Sequence, residues 1–395
     1  MRFIDFLRRR GDSGDVCACR RQGAGEGAAK ALAGLAIILG LVALPASPQA
    51  QPATERTVNV YNWTDYIDPS VLDDFTRETG IKVVYDMYDN NEIVAAKLVA
   101  GKSGYDVVVP SGPFLSRLIR AGLFLKLERS KLPNARHIWP DIAARLASHD
   151  PGNQFAVNYM WGTTGIGLNL AKVRERLGPN TAINSWDLLL KPDVSAKLKD
   201  CGIHVLDVPE DILPGVLRYL GLNPDSKNEA DLRKAADALA RVRGNIRTFH
   251  SSEYLNALAS GEICMAVGYS GDILQARRRA EEARNGIDIQ FIVPREGAQM
   301  WFDSMAIPAD AANPVEAHAF IDFMLRPDVA AKNSNLVSYA SGNLPARELI
   351  RPEIKGNPGI YPDQATFARL FTTTAYDERL QRAVGRLWTR VKTGR

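Results

Sequence analysis

Thr57-Val-Asn-Val-Tyr61, Ile81-Lys-Val-Val-Tyr85 and Tyr105-Asp-Val-Val-Val109 recur about 24 positions apart, each rich in β-branched and aromatic residues. Such runs read as strands, the third as one buried on both faces. Between the first two, Asp68-Pro69-Ser70 can open a helix, Val71, Leu72 and Phe75 give it an apolar face, and Gly80 ends it. Asn91 to Ala100, closed by Gly101, and Pro113 to Ala121, followed by Gly122, read as two more helices. Strand and helix alternating across short joints predict an open parallel sheet with helices on both faces, an α/β fold.

A second set follows. Phe155–Tyr159 and Thr164–Leu168 read as strands either side of a Trp161-Gly162 turn. Helices are expected around Trp186–Leu190, Asp211–Tyr219 and Glu229–Arg241, a strand at Ile263–Val267, and a helix over Asp272–Ala283. Strands at Ile287–Val293 and Met305–Ile307 and a helix at Pro314–Leu325 complete the pattern. With 395 residues, the chain exceeds what one compact core usually organises, so two α/β lobes are expected.

Composition narrows the function. Lys and Arg number 49 against 45 acidic residues, a net charge of +4. Residues 1–50 hold seven of those bases and four of the acids, which leaves 42 against 41 in the rest. A nearly neutral body without a dense basic block gives nucleic-acid binding little support. Arg20, Arg21 and Lys30 lead into the apolar run Ala31–Leu44, and small residues follow to Ala50. These are the parts of a secretory signal peptide over 1–50, with an N-terminal membrane anchor as the alternative. Export would take Cys17 and Cys19 away with the leader and leave Cys201 and Cys264 in an oxidising compartment, either bridged or as two buried thiols.

In open α/β sheets ligands gather at the carboxyl ends of strands. Those ends carry Asn62-Trp63-Thr64-Asp65-Tyr66, Pro110-Ser111-Gly112, Gly268-Tyr269-Ser270-Gly271-Asp272 and, between two later strands, Met300-Trp301-Phe302-Asp303-Ser304. Three of the four set an aromatic beside a carboxylate. Carboxylates take charge-assisted hydrogen bonds from ammonium groups, and aromatic faces hold cations or methylene chains, so a cleft with both suits an alkyl amine. The plainer alternative makes Asp65 or Asp272 a helix N-cap and the rings the edge of a core. Other chemistries lack their residues. Gly162, Gly165 and Gly167 do not have the order of a dinucleotide loop. The five histidines have no metal-ligand spacing, no nucleophile elbow occurs, and Arg277-Arg278-Arg279 reads as a solvated helix face.

Tyr61-Asn-Trp-Thr-Asp-Tyr66, Thr79-Gly-Ile-Lys-Val-Val-Tyr85, Tyr105-Asp-Val-Val-Val-Pro-Ser111, Thr163-Thr-Gly-Ile-Gly167 and Leu325-Arg-Pro-Asp-Val329 resemble the bacterial periplasmic polyamine-binding proteins of ABC importers, from about Thr57 to Arg395. The resemblance implies a type II two-lobed periplasmic binding protein, α/β, each lobe an open, mainly parallel sheet with flanking helices, joined by three crossings. We expect residues 52–160 with 290–330 in one lobe and 161–289 with 331–395 in the other. A Cys201–Cys264 bridge is implied too. So is a set of ligand-binding residues: Trp63 and Tyr66 as pocket walls, Thr64 and Ser111 near an amine, and Asp65 and Asp303 as carboxylates. Asp211 would serve the far end, and Asp272 matches an acid after the Gly268 turn, with Tyr269, Trp301 and Tyr339 as further aromatics. Trp301 resembles the spermidine type and Asp272 the putrescine type. The expected protein is a periplasmic monomer that delivers a polyamine, most simply putrescine, to an inner-membrane permease, with no cofactor or metal and no catalysis. The rivals are another cationic metabolite such as agmatine, an amino acid, or a secreted hydrolase.

Overall fold

The computed structural model describes residues 55–394; the expected signal peptide and Cys17 and Cys19 lie outside them. Ten strands form the framework: β1 (Thr57–Trp63), β2 (Lys82–Tyr88), β3 (Val107–Val108), β4 (Ala156–Asn169), β5 (Ile203–Val205), β6 (Thr248–Phe249), β7 (Met265–Tyr269), β8 (Ile289–Ile292), β9 (Met300–Ala306) and β10 (Ala340–Ser341). Their order is β2-β1-β3-β9-β4-β7-β5-β6, with β8 and β10 also paired to β4.

The opening βαβ rhythm folds as its residues dictate. Parallel β1 pairs with both β2 and β3. The intervening helix Pro69–Thr79 starts where the Asp68 carboxylate accepts the Ser70 amide at 2.9 Å and stops at Gly80, whose φ of 68° suits a residue without a side chain. It buries Val71 and Phe75. Farther along, the sheet is mixed rather than mainly parallel: β9 runs antiparallel to β3 and β4, and β4 antiparallel to β7 and β8.

The reason is β4, a single 14-residue strand buried throughout, where two strands and a turn were expected. Gly162 reads locally as a turn residue. Instead it lets the Trp301 ring lie against bare backbone, because a Cβ there would overlap it. Ala156–Thr163 pairs with β9, and Thr164–Leu168 pairs with β7. The strand therefore carries the chain from one half of the molecule to the other.

Two later segments also cross: residues 293–299 between β8 and β9, and residues 371–375 leading to the helix Glu378–Thr393. One apolar cluster gathers Ile166–Ile289 with Leu380, Leu387 and Trp388 of that helix; two others pack the remaining half. Ile289–Ile292 pairs with the second half of β4, and Ala340, Ile350, Ile360 and Leu370 are buried in one cluster with Tyr61, Val108 and Leu115. The C-terminal helix had no counterpart in the expected pattern.

Cys201 and Cys264 are bonded, with Cα atoms 5.4 Å apart and 63 positions apart in sequence. Closing a loop of that length restricts the unfolded chain by about 4 kcal/mol in the chain-entropy model. Replacing both cysteines by serine should lower the unfolding free energy by about 2–4 kcal/mol. A denaturant midpoint unchanged in the double variant would contradict this.

Candidate functional site

Asp303 occupies the middle of β9, opposite Met160 of β4, and is only 6 % exposed. The ladder slips between Asn158 and Met160, a bulge that leaves Tyr159 without a partner. The Tyr159 hydroxyl donates to the Tyr66 carbonyl at 2.6 Å, and its ring stands edge-on to Tyr66 with centroids 5.4 Å apart. Held in this way, the Tyr66 hydroxyl donates to Asp303 Oδ2 at 2.9 Å. Ser111 stands at the N-cap of helix Gly112–Arg120 but does not cap it. Its hydroxyl donates to Asp303 Oδ1 at 2.6 Å instead.

Asp272 and Asp211 arrive by another route. Each is the third residue of a helix, Ser270–Glu282 and Pro209–Tyr219, where the exposed amides of the first turn favour negative charge. Neither helix is capped by its preceding side chain. Asp272 accepts the Tyr254 hydroxyl at 2.7 Å and the Tyr339 hydroxyl at 2.5 Å. Gly271 permits this approach, since a Cβ there would come within 2.5 Å of the Tyr339 ring. Asp211 accepts the Tyr269 hydroxyl at 2.7 Å and the Gln299 amide at 3.3 Å.

Aromatic rings link the three acids. Tyr66 meets Tyr339 edge-on at 5.4 Å, Tyr339 meets Trp301 at 5.3 Å, and Trp301 meets Tyr269 at 5.5 Å. Trp301 and Asp303 alternate along β9 and so share a face. Here the expectation of a loop at Met300–Ser304 is corrected: it is strand, and that regularity sets the indole beside the carboxylate.

Among the described residues, no Lys or Arg nitrogen lies within 4.0 Å of Asp211, Asp272 or Asp303. Burial outweighs the hydroxyl donors. It pushes the Asp303 carboxyl up to about 6, with Asp272 adding repulsion. It pushes Asp211 up to about 7, with Glu210 and Asp303 adding to it, and raises Asp272 as well. Three carboxylates in a tyrosine-lined interior, each satisfied by neutral donors, form a strongly cation-attracting centre.

Two expected residues stand apart. Thr64 and Asp65 are exposed; the Thr64 hydroxyl donates to the Tyr88 carbonyl, and Asp65 lies 4.0 Å from Arg279 with its side chain 73 % exposed. Asp65 has φ of 55°, a left-handed turn that carries its side chain outward while Tyr66 turns in. Nor is it a cap, since Asp68 caps the helix. Trp63 is half-buried, its indole donating to the Val109 carbonyl at 2.8 Å and its ring tilted over Tyr88 at 4.7 Å. The sequence does not single out Tyr254, Tyr159 or Gln299: Tyr159 has no acid nearby, Tyr254 stands beside the exposed Glu253, and Gln299 borders the Met300–Ser304 motif without carrying a ring or a charge. No group of three or more His, Cys, Asp or Glu suited to a metal occurs among the described residues.

The model of the bacterial extracellular solute-binding protein family matches residues 70–362. The putrescine-binding periplasmic protein SpuD of Pseudomonas aeruginosa is 48 % identical over 346 residues, 88 % of this chain and 94 % of its own. PotF, the putrescine-binding periplasmic protein of Escherichia coli, is 48 % identical over 344 residues, 87 % of this chain and 93 % of its own. Among solved structures, the spermidine/putrescine ABC transporter substrate-binding protein PotD of Streptococcus pneumoniae aligns with a TM-score of 0.73 at 32 % identity. That alignment covers 86 % of this chain and 99 % of that one. The two-domain periplasmic binding protein architecture is thus shared, and the chain belongs to the bacterial extracellular solute-binding protein family.

Proposed function

We propose that this protein captures a protonated polyamine, most simply putrescine, between its two lobes in the periplasm and hands it to an inner-membrane ABC permease. The observation that carries the proposal is the set of buried acids, Asp303, Asp272 and Asp211, held by neutral hydroxyls and an amide, with no Lys or Arg nitrogen within 4.0 Å among the described residues. An ammonium taken out of water needs a carboxylate partner, and a dication needs one at each end. The rings of Trp301, Tyr269 and Tyr339, packed edge to face, offer apolar surface suited to methylenes. The relatives named for putrescine support the choice of ligand, and relatives named for spermidine and putrescine together keep the triamine as the second reading. Trp301 favours that second reading, as a broad plate for a longer chain.

Capture proceeds by closure. Asp303 and Ser111 belong to one half and Asp211, Tyr269 and Asp272 to the other, so a ligand that pairs with both favours the closed arrangement. Residues 1–50 act in this proposal as the export signal. Carrier rather than catalyst is the role assigned to the acids; hydrolysis of a simple ester or amide by the protein would refute that assignment.

Two outcomes test the site. Asp303→Asn should weaken putrescine and spermidine binding by about 2–5 kcal/mol, the scale for truncating one partner of a buried charge pair. Unchanged calorimetric affinity would remove Asp303 from the site. Binding should also release protons. Asp303 and Asp211 hold theirs to about 6 and about 7 in the free protein, and a cation requires both ionised. Affinity should therefore rise with pH through this window and flatten above it. Calorimetry near pH 6.5 in buffers of different ionisation enthalpy measures the release; zero net release would contradict the assignment.

A further inference from the structure

The segments that carry the chain between its halves meet at Gln299. Its carbonyl accepts the Thr164 amide at 3.0 Å, and it bridges to Phe371, whose amide donates to the Ala298 carbonyl at 3.1 Å. Its side chain is 3 % exposed and lies two residues before Trp301 and four before Asp303, the spacing that keeps an extended chain on one face. Nε2 donates to Asp211 Oδ1 at 3.3 Å and to Thr373 Oγ1 at 3.1 Å. Oε1 is buried without a donor among the described residues. An amide buried this deeply is costly unless its bonds matter.

We propose that Gln299 is a positioning residue that orients the Asp211 carboxylate toward the far end of the ligand and ties it to the third crossing, an inference that rests on the polyamine reading. Its N–H favours the ionised carboxylate, as does the Tyr269 hydroxyl, while burial, Glu210 and Asp303 oppose it. Tyr254 and Tyr376 also face Asp211, as phenols that burial keeps neutral by raising their pKa. Without the amide, Asp211 keeps its proton to higher pH and its Oδ1 loses its tether. Because Thr373 lies on the crossing that ends at the C-terminal helix, the same amide links ligand charge to the segments that bend on closure.

The test is putrescine calorimetry on the mature protein between about pH 5.5 and 8.5, where the acid titrates. Wild type is compared with Gln299→Met, near-isosteric and without donor or acceptor, with Asp211→Asn, and with the double variant. We expect Gln299→Met to weaken binding about tenfold near pH 6.5, the scale of one hydrogen bond to a charged group, and to move the pH midpoint upward. In the Asp211→Asn background the same change should matter less than about twofold, as coupled residues require. Thr373→Val, which cuts the second anchor, should shift the profile in the same direction and serves should Gln299→Met fail to fold. Equal weakening with and without Asp211, at an unmoved pH midpoint, overturns the proposal. Putrescine binding by wild type that survives Gln299→Met unaltered also overturns it. Failure of wild type to bind putrescine or spermidine overturns the polyamine reading and the role of Gln299 together.

Discussion

A carboxylate removed from water must be neutralised, given donors, or paired with a cation. At the centre of this protein three of them receive donors alone. Tyr66, Ser111, Tyr254, Tyr339, Tyr269 and Gln299 all point an N–H or O–H at Asp303, Asp272 or Asp211. Hydroxyls are a suitable choice, because they stabilise negative charge without cancelling it. A lysine in the same place would satisfy the acids permanently and leave nothing to attract an amine. The price is a raised carboxyl pKa, which makes the centre sensitive to pH near neutrality.

The scaffold explains how acids from distant parts of the chain converge. β4 belongs to both halves, so Asp303 on β9 and Tyr269 on β7 hang from one continuous strand, with Asp272 on the helix after β7 and Asp211 on the helix after β5, itself paired to β7. Asp303 is fixed by strand geometry, and Asp211 and Asp272 by the first turns of helices. Close approach is as important as charge. Gly162 and Gly271 leave room for Trp301 and Tyr339 to rest on backbone, which packs the rings around the acids.

How much of this could be read in advance followed the range of each interaction. The βαβ start was legible because its signals are local: alternating strands, an Asp-Pro-Ser opening, a terminal glycine. The aromatic–acid pairs pointed to Asp303, Asp272, Tyr66, Tyr269 and Trp301, which the fold brings together. Asp65 belongs to the same motif as Tyr66 yet turns outward, since a single left-handed residue reverses the direction of neighbouring side chains. Tyr254 is 18 residues from the Asp272 it serves, and Gln299 is 88 from Asp211. Tyr254 stands beside Glu253 and Gln299 directly before Met300–Ser304, but neither position tells which acid the side chain reaches. Gly162 reads as a turn within β4 because its local signal is the same whether it bends the chain or makes room for the Trp301 ring.

Periodicity, turn residues and aromatic–acid pairs are properties of short stretches, so the α/β class, the two-part organisation and the kinds of group offered to a ligand can be read along the chain. Which acids are buried and which, like Asp65, stay in solvent is set by the folded arrangement. It also sets the sense of the later strands and the hydroxyl that each carboxylate receives. These depend on contacts between residues tens to hundreds of positions apart, and their energies arise from burial, which no local pattern specifies.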